Sequence, residues 1–211
     1  MVQVLKEEIR SRIAEAAEAR FAEVGPANAT MGEIAGAAGV ATGTVYKYFR
    51  DKQALFDSIV TEDFVAELTR LTRRRIAAFA RPGGMDGGRD PMQGESGELL
   101  DFFAGNRLKV VILLGWGEGT RYADFAPDYL REMETQTLAQ AREQFPQLGM
   151  TPVFRFMVRR ILGESIRGIV AILTEFEDRD AIREAFAAAA GYRLAGINAL
   201  VARALGRGES A

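Results

Sequence analysis

Cysteine and histidine are both missing from the 211-residue chain. Their absence excludes disulfides, thiol nucleophiles, imidazole acid-base chemistry and the ordinary zinc sites, leaving carboxylate sites for hard cations as the one metal chemistry open. No cofactor fingerprint is present either, so neither a cofactor nor a metal is expected. A large excess of one charge is also lacking: the formal net charge is −2, and any attraction to nucleic acid has to come from a local basic patch. No uninterrupted apolar run approaches the length that spans a bilayer, and Val110 to Leu114 reads as core, so no membrane partner is expected. The opening Met1-Val2-Gln3-Val4-Leu5 turns charged at once and lacks the parts of a secretory signal, which points to a cytoplasmic protein. Period-2 alternation and hairpin turns are scarce, so the fold class is all-α.

What the chain has is helical periodicity in a composition ordinary for a globular protein, 48% hydrophobic and 27% charged. About nine helices are expected. Leu5, Ile9, Ile13, Ala17, Phe21 and Val24 form one stripe on a first helix that Gly25-Pro26 stops. Thr30-Met31-Gly32-Glu33 is a capping box, which starts a short helix near Met31 and running to about Ala38; Gly39 then makes a turn, and a third helix covers about Thr42 to Phe49. A fourth reads as a single long rod from Asp51 to about Phe79. The glycine-rich stretch Pro82 to Gly97 reads as a mobile loop. Further helices follow over Glu98 to Ala104, Arg107 to Tyr122, Pro127 to Gln144, Pro152 to Phe176 and Asp178 to Leu205, and the tail from Gly206 should fray. Two functional parts result, residues 1–50 and 51–206.

Ala35, Gly39 and Val45 have the spacing of a helix-turn-helix: a small residue at the crossing, a glycine in the turn and an apolar anchor in the second helix. An ordinary helical hairpin has the same three residues. The wider string, Thr30-Met31-x-x-Ile34-Ala35-x-x-Ala38-Gly39-Val40-x-x-Gly43-Thr44-Val45-Tyr46-x-Tyr48-Phe49-x-x-Lys52-x-x-Leu55, resembles the N-terminal signature of the tetracycline-repressor (TetR) family of bacterial regulators. The resemblance implies a homodimer reading a palindromic operator in double-stranded DNA, usually as a repressor released by a small ligand, and not an enzyme. On that reading Gly43 lets backbone approach the duplex, while Thr42, Thr44 and Lys47 project toward base edges or phosphates. Tyr46 and Tyr48 supply rigid hydroxyl donors, and Lys52 and Thr30 add phosphate contacts at two helix starts. Val45 and Phe49 belong to the core. Ala41 departs from the family's pattern, in which a serine often caps the recognition helix; Thr42 is the alternative cap.

The two C-terminal helices, 152–176 and 178–205, carry the heaviest apolar loading. They either fill the monomer's core or form half of an intersubunit four-helix bundle, and the family resemblance implies the second, a homodimer through the last two helices. A small-molecule effector is expected in an interior pocket lined by Phe79, Phe102, Phe103, Trp116, Tyr122 and Phe125, with Asp101, Glu118 or Arg121 as polar selectors. The same aromatics at helical spacing serve equally as plain core. Arg73-Arg74-Arg75 lies some twenty residues beyond Lys52, and a solvated helix end paired with nearby acids accounts for it better than a phosphate patch does. Two other readings stay open: a regulator of the same fold without a small-molecule effector, and an all-α enzyme or carrier.

Overall fold

The computed structural model describes residues 2–79 and 93–206. Among them the chain is helical without strands, in ten helices where about nine were expected: α1 (Val2–Val24), α2 (Met31–Ala37), α3 (Thr42–Tyr48), α4 (Lys52–Ile59), α5 (Glu62–Phe79), α6 (Gly94–Gly105), α7 (Arg107–Gly115), α8 (Phe125–Gln144), α9 (Pro152–Glu175) and α10 (Arg179–Gly206). The stretch read as a mobile loop lies for the most part outside the described residues, as does the tail beyond Gly206; Gly94 to Gly97 form the first turn of α6.

The extra helix comes from a break in the expected rod. Val60 leaves helical backbone, with φ −97° and ψ 84°, and the Thr61 hydroxyl accepts the Phe64 N–H at 3.2 Å to start α5. Periodicity could not reveal this, since Phe56, Ile59, Val60 and Phe64 are all buried and the apolar stripe runs straight through. The cap was nonetheless written locally: Thr61 followed by Glu62 and Asp63 is a helix start, with acids against the positive end of the dipole. A second difference is the end of α7 at Gly115, where a helix to Tyr122 was expected. There the Thr120 hydroxyl donates to the Gly117 carbonyl at 2.7 Å and accepts the Tyr122 N–H at 3.0 Å, closing a compact turn. A Cβ on Gly117 would lie 2.5 Å from the Tyr122 carbonyl oxygen, so only glycine fits that turn.

The chain divides into two compact units. The first comprises residues up to Val65 together with Leu108–Ala126. Its core is built on α1, from which Ile13, Ala17 and Phe21 are fully buried, while Leu5 at the start of the same stripe stays 58% exposed. Ile34 and Ala35 of α2, Val45 of α3, and Leu55 and Phe56 of α4 complete it. The rings of Phe21 and Phe56 sit 6.0 Å apart, and Tyr122 lies 6.3 Å beyond Phe56. The second unit comprises Ala66–Arg107 and Pro127–Ala211. Here α9 and α10 pack as an antiparallel pair, α9 capped by Thr151 and α10 by Asp178, whose carboxylate accepts the Ala181 N–H at 2.9 Å. By length and composition alone, Arg179–Leu205 also qualifies as a helix able to cross a membrane, a property that counting uninterrupted apolar runs missed because Gly191, Arg193 and Asn198 break the run.

Gly25 ends α1 at φ +82°, and its position next to Trp116 leaves a Cβ only 3.0 Å from the indole. Gly25→Ala should therefore cost about 1–2 kcal/mol or more, the penalty for a left-handed alanine plus the displacement of the ring. Gly36→Ala, inside α2 with open space around the new methyl, should be neutral or stabilising by up to about 1 kcal/mol. Trp116 is the single tryptophan, so urea unfolding followed by its fluorescence reports on this unit. Equal midpoints for the two variants would contradict the geometry.

Candidate nucleic-acid interface and interior cavity

In the first unit, α2 and α3 meet through a turn that starts at Ala38. Gly39 sits at φ +65° and the Val40 N–H bonds back to the Ala35 carbonyl at 3.0 Å, so the chain reverses within three residues. The Arg12 guanidinium of α1 donates to the Ala38 carbonyl and holds this turn from behind. Val45 faces inward with no exposure, and Phe49 is buried beneath the Arg10 guanidinium, whose carbon stands 5.4 Å from the ring centre. With these two anchors fixed, helical spacing puts the other side of α3 outward: Thr42, Gly43, Tyr46 and Lys47 are exposed, and Tyr46 keeps 53% of its surface open. Thr44 and Tyr48 are half-buried at its edges. A methyl group at Gly43 would meet nothing within 4 Å. The cap question also resolves: Ala41 is the N-cap and has no side-chain bond, while Thr42 is the first helical residue and does not replace it.

Thr30 and Lys52 sit differently from the α3 residues. The Thr30 hydroxyl accepts the Glu33 N–H at 3.2 Å and lies 2.9 Å from the Glu33 carboxylate, which also accepts the Thr30 N–H, so both groups are engaged in the capping box. Lys52 directs its ammonium at the Ala27 and Ala29 carbonyls, 3.1 and 2.8 Å away, tying the start of α4 to the loop between α1 and α2. Backbone and hydroxyl bonds from Thr30, then the Arg20 ion pair at 2.9 Å, hold the Glu33 carboxyl below its usual range. Asp51 is lowered likewise, first by the Ala54 N–H it caps and then by Arg50.

The residues expected around a ligand are divided between the two units. Trp116, Glu118, Arg121, Tyr122 and Phe125 belong to the first unit, where Trp116 covers Gly25, Glu118 is exposed, and Arg121 pairs with Asp57 and Glu62 at 3.3 and 3.1 Å. Tyr122 meets Phe125 edge-on at 6.3 Å. Asp101, Phe102 and Phe103 belong to the second unit, and the side chain of Phe79 lies outside the described residues. Asp101 is exposed and paired with Arg183, Phe102 is half-buried, and Phe103 is buried, stacked on Phe186 at 5.7 Å.

The second unit holds a partly open cavity of about 230 Å³ between α5, α6, α8, α9 and α10, and Phe103 lines it. A single water needs about 10–15 Å³ on such a measure, so the space admits a molecule of many atoms. Its wall is mostly aliphatic and aromatic, from Leu99 and Leu100 through Met133 to Phe154 and Val158. The Thr72 and Tyr129 hydroxyls hydrogen-bond each other in the wall, and burial pushes the Tyr129 phenol up to about 12, with the Thr72 bond opposing. Two cations also reach it, Arg75 from α5 and Arg193 from α10. Burial draws the Arg75 guanidinium down to about 10, the like charge of Arg193 adds to this and Tyr129 opposes it; burial lowers Arg193 too.

Residues 13–59 match the family described as bacterial regulatory proteins, tetR family. That likeness to the TetR family lies in the N-terminal stretch of the chain. The match begins at Ile13 of α1 and ends with α4, taking in the turn and the anchors of α3 just described. The HTH-type transcriptional regulator AcrR of Shigella flexneri is 39% identical over 64 residues, 29% of this chain, and the stretch spans only 30% of that relative's length. Among solved structures, a fatty acid degradation regulator FadR from Bacillus halodurans is 20% identical over 84% of this chain and 92% of its own, with a TM-score of 0.41. A gamma-butyrolactone receptor, described as ArpA-like, is 20% identical over 97% of this chain and 96% of its own, with a TM-score of 0.45.

The cavity lies wholly outside the stretch matched to the TetR family. Sequence reading missed its polar residues, Arg75, Tyr129 and Arg193. Arg193 had a signal, a single charge between Ala185 and Ala202, where helix and apolar wall coincide. Arg75 had none: within Arg73-Arg74-Arg75 the first two pair with Glu132 and Glu98 as a solvated helix face would, and only the third lines the cavity.

The lowered Glu33 and Asp51 make the first unit acid-sensitive with a defined sign. Both carboxyls are depressed in the folded chain, so their stabilising contribution is complete above the ordinary carboxylate range and is lost as pH falls through their folded values. Glu33→Gln retains the capping geometry but carries no charge, so it should lower thermal stability at pH 7, change it little at pH 3, and thereby flatten the acid limb. Melting curves from pH 7 to 3 check this; an unaltered acid limb would remove Glu33 from the account.

Proposed function

We propose that the chain is a sequence-specific DNA-binding repressor that binds a palindromic operator as a homodimer and is released from it by a small, largely apolar ligand. The observation that carries the reading is the outward side of α3, where Thr42, Tyr46 and Lys47 surround a glycine with open space above it, on a helix anchored from beneath by Val45 and Phe49. A duplex groove needs that combination: backbone able to come close, short hydroxyls and one cation within reach of bases and phosphates, and a support that does not yield. Thr44 and Tyr48 stand at the edge of the contact. Thr30 and Lys52 contribute chiefly by position, holding α2 and α4 in place, and whatever they give to phosphates comes from donors left over after their bonds within the head.

Two-fold assembly is supported by α9 and α10. Val153 and Phe156 are each 64% exposed and Tyr192 85%, more apolar surface than a solitary helical pair leaves in water, and a second copy of the pair would cover it. This also accounts for the membrane-like composition of α10 in a cytoplasmic protein, since a helix with Arg193 near its middle is costly in lipid. The interior cavity favours a small-molecule effector over a regulator without one, and the effector's affinity and the operator's would be reduced by one shared factor.

Selection from a random duplex pool at low and physiological salt tests the DNA reading. The wild type should enrich a palindrome. Lys47→Ala should weaken binding to all sequences and lower the salt slope by about 1 for each phosphate that is no longer neutralised, one per subunit. Tyr46→Phe should weaken binding without unfolding the head. Failure of a folded, dimeric wild type to enrich any sequence would overturn the proposal.

A further inference from the structure

The cations of the head formed by α1 to α4 differ in what they answer to. Arg20 is paired with Glu23 and Glu33, and Arg50 with Asp51. Arg12 and Lys52 donate to backbone carbonyls. Lys6, Arg10 and Lys47 are exposed, and the described residues supply none of them with a carboxylate at ion-pair distance. Two of these three stand on α1, where helical spacing singles them out. Lys6, Arg10, Ile13 and Ala17 follow at steps of four, three and four, so they share one side of the helix. Ile13 and Ala17 are fully buried there, whereas every residue from Val4 to Glu8 is exposed. The inward stripe thus changes from apolar to cationic where α1 runs on past the core for roughly two turns. The neighbouring acids Glu7 and Glu8 fall about 100° and 200° round the helix from Lys6.

The end of this overhang nearest the core is fixed in place. The Arg10 guanidinium stands over the Phe49 ring, 5.4 Å from its centre, and Phe49 is the residue that ends α3. Arg10 is therefore held beside the C-terminal end of α3, the end that carries Lys47. Shielding of Phe49 accounts for the Arg10 side chain, but not for a second cation about 6 Å further along the helix. A helix lying in a major groove is bordered by the phosphate strands, so cations just beyond its end meet phosphates and not base edges. We propose that α1 is part of the DNA interface: Arg10, positioned by Phe49, and Lys6 each neutralise a phosphate on the strand bordering the groove that α3 enters. The proposal rests on the DNA reading above and adds a second helix to it, one that contributes affinity without sequence preference.

Binding of the full-length protein is followed by fluorescence anisotropy as salt is raised, on the palindrome enriched from the random pool and on a random-sequence duplex of equal length. The proteins are the wild type, Lys6→Gln, Arg10→Met and Arg10→Lys. Arg10→Met keeps an unbranched cover on Phe49 without the charge, and Arg10→Lys keeps the charge. Lys6→Gln and Arg10→Met should each lower the slope of log affinity against log salt by about 2 on the palindrome, one phosphate per subunit, and weaken binding on the order of ten- to hundredfold near 0.1 M salt. Arg10→Lys should keep the wild-type slope, and the enriched palindrome should be the same for all four proteins. An unchanged slope in Lys6→Gln or Arg10→Met would overturn the assignment of that residue. Equal weakening by Arg10→Met and Arg10→Lys at the wild-type slope would make Arg10 a cover for Phe49 and nothing more, and a changed palindrome would overturn the phosphate assignment. Failure of the wild type to bind either duplex would overturn the DNA reading itself, a result distinct from the others.

Discussion

Burial of Phe21 against Phe56 is the contact on which the first unit depends. Helices as short as α2 and α3, seven residues each, do not persist in water on their own, because nucleation costs more than so few hydrogen bonds return. What keeps them is the apolar centre made by Ile13, Ala17 and Phe21 of α1 with Phe56 of α4, onto which Ile34 and Val45 are pressed. Around it, polar bonds direct the chain more than they stabilise it. Arg12 holds the Ala38 carbonyl at the turn, Lys52 ties α4 to the loop before α2, and the Thr30–Glu33 box sets where α2 begins. The outcome is an α3 whose inner side is anchored by Val45 and Phe49 and whose outer side has few duties within the fold.

The second unit solves the opposite problem. Its five helices surround a space instead of filling it, and two cations reach that space. Empty volume and desolvated charge both lower stability, a cost that the proposed effector would offset. On the outside, Phe156 of α9 and Tyr192 of α10 are exposed to water, and the proposed two-fold assembly would cover them.

Local signals were legible wherever chemistry is local. The capping box at Thr30, the glycine stop at Gly25 and the turn at Gly39 stand in the structure where the string of residues put them. The break between α4 and α5 was equally local, written in Thr61-Glu62-Asp63, but a continuous apolar stripe concealed it. The three glycines near Trp116 were noticed as a weakness in a helix, and the structure makes of Gly117 and Gly119 a turn that closes on Tyr122 and Ala27. The aromatics were harder. Phe103 and Trp116 look alike in a helical pattern, yet one lines a cavity and the other covers a glycine in a different unit.

The sequence by itself determined the all-α class, the helix-turn-helix and which side of α3 faces out, because periodicity, caps and left-handed glycines act over four or five residues. Tertiary structure alone decided that Lys52 binds carbonyls, that Arg75 parts company with Arg73 and Arg74, and that the cavity gathers residues from five helices. Those outcomes depend on which side chains meet across long separations in the chain, and helical spacing carries no information about that.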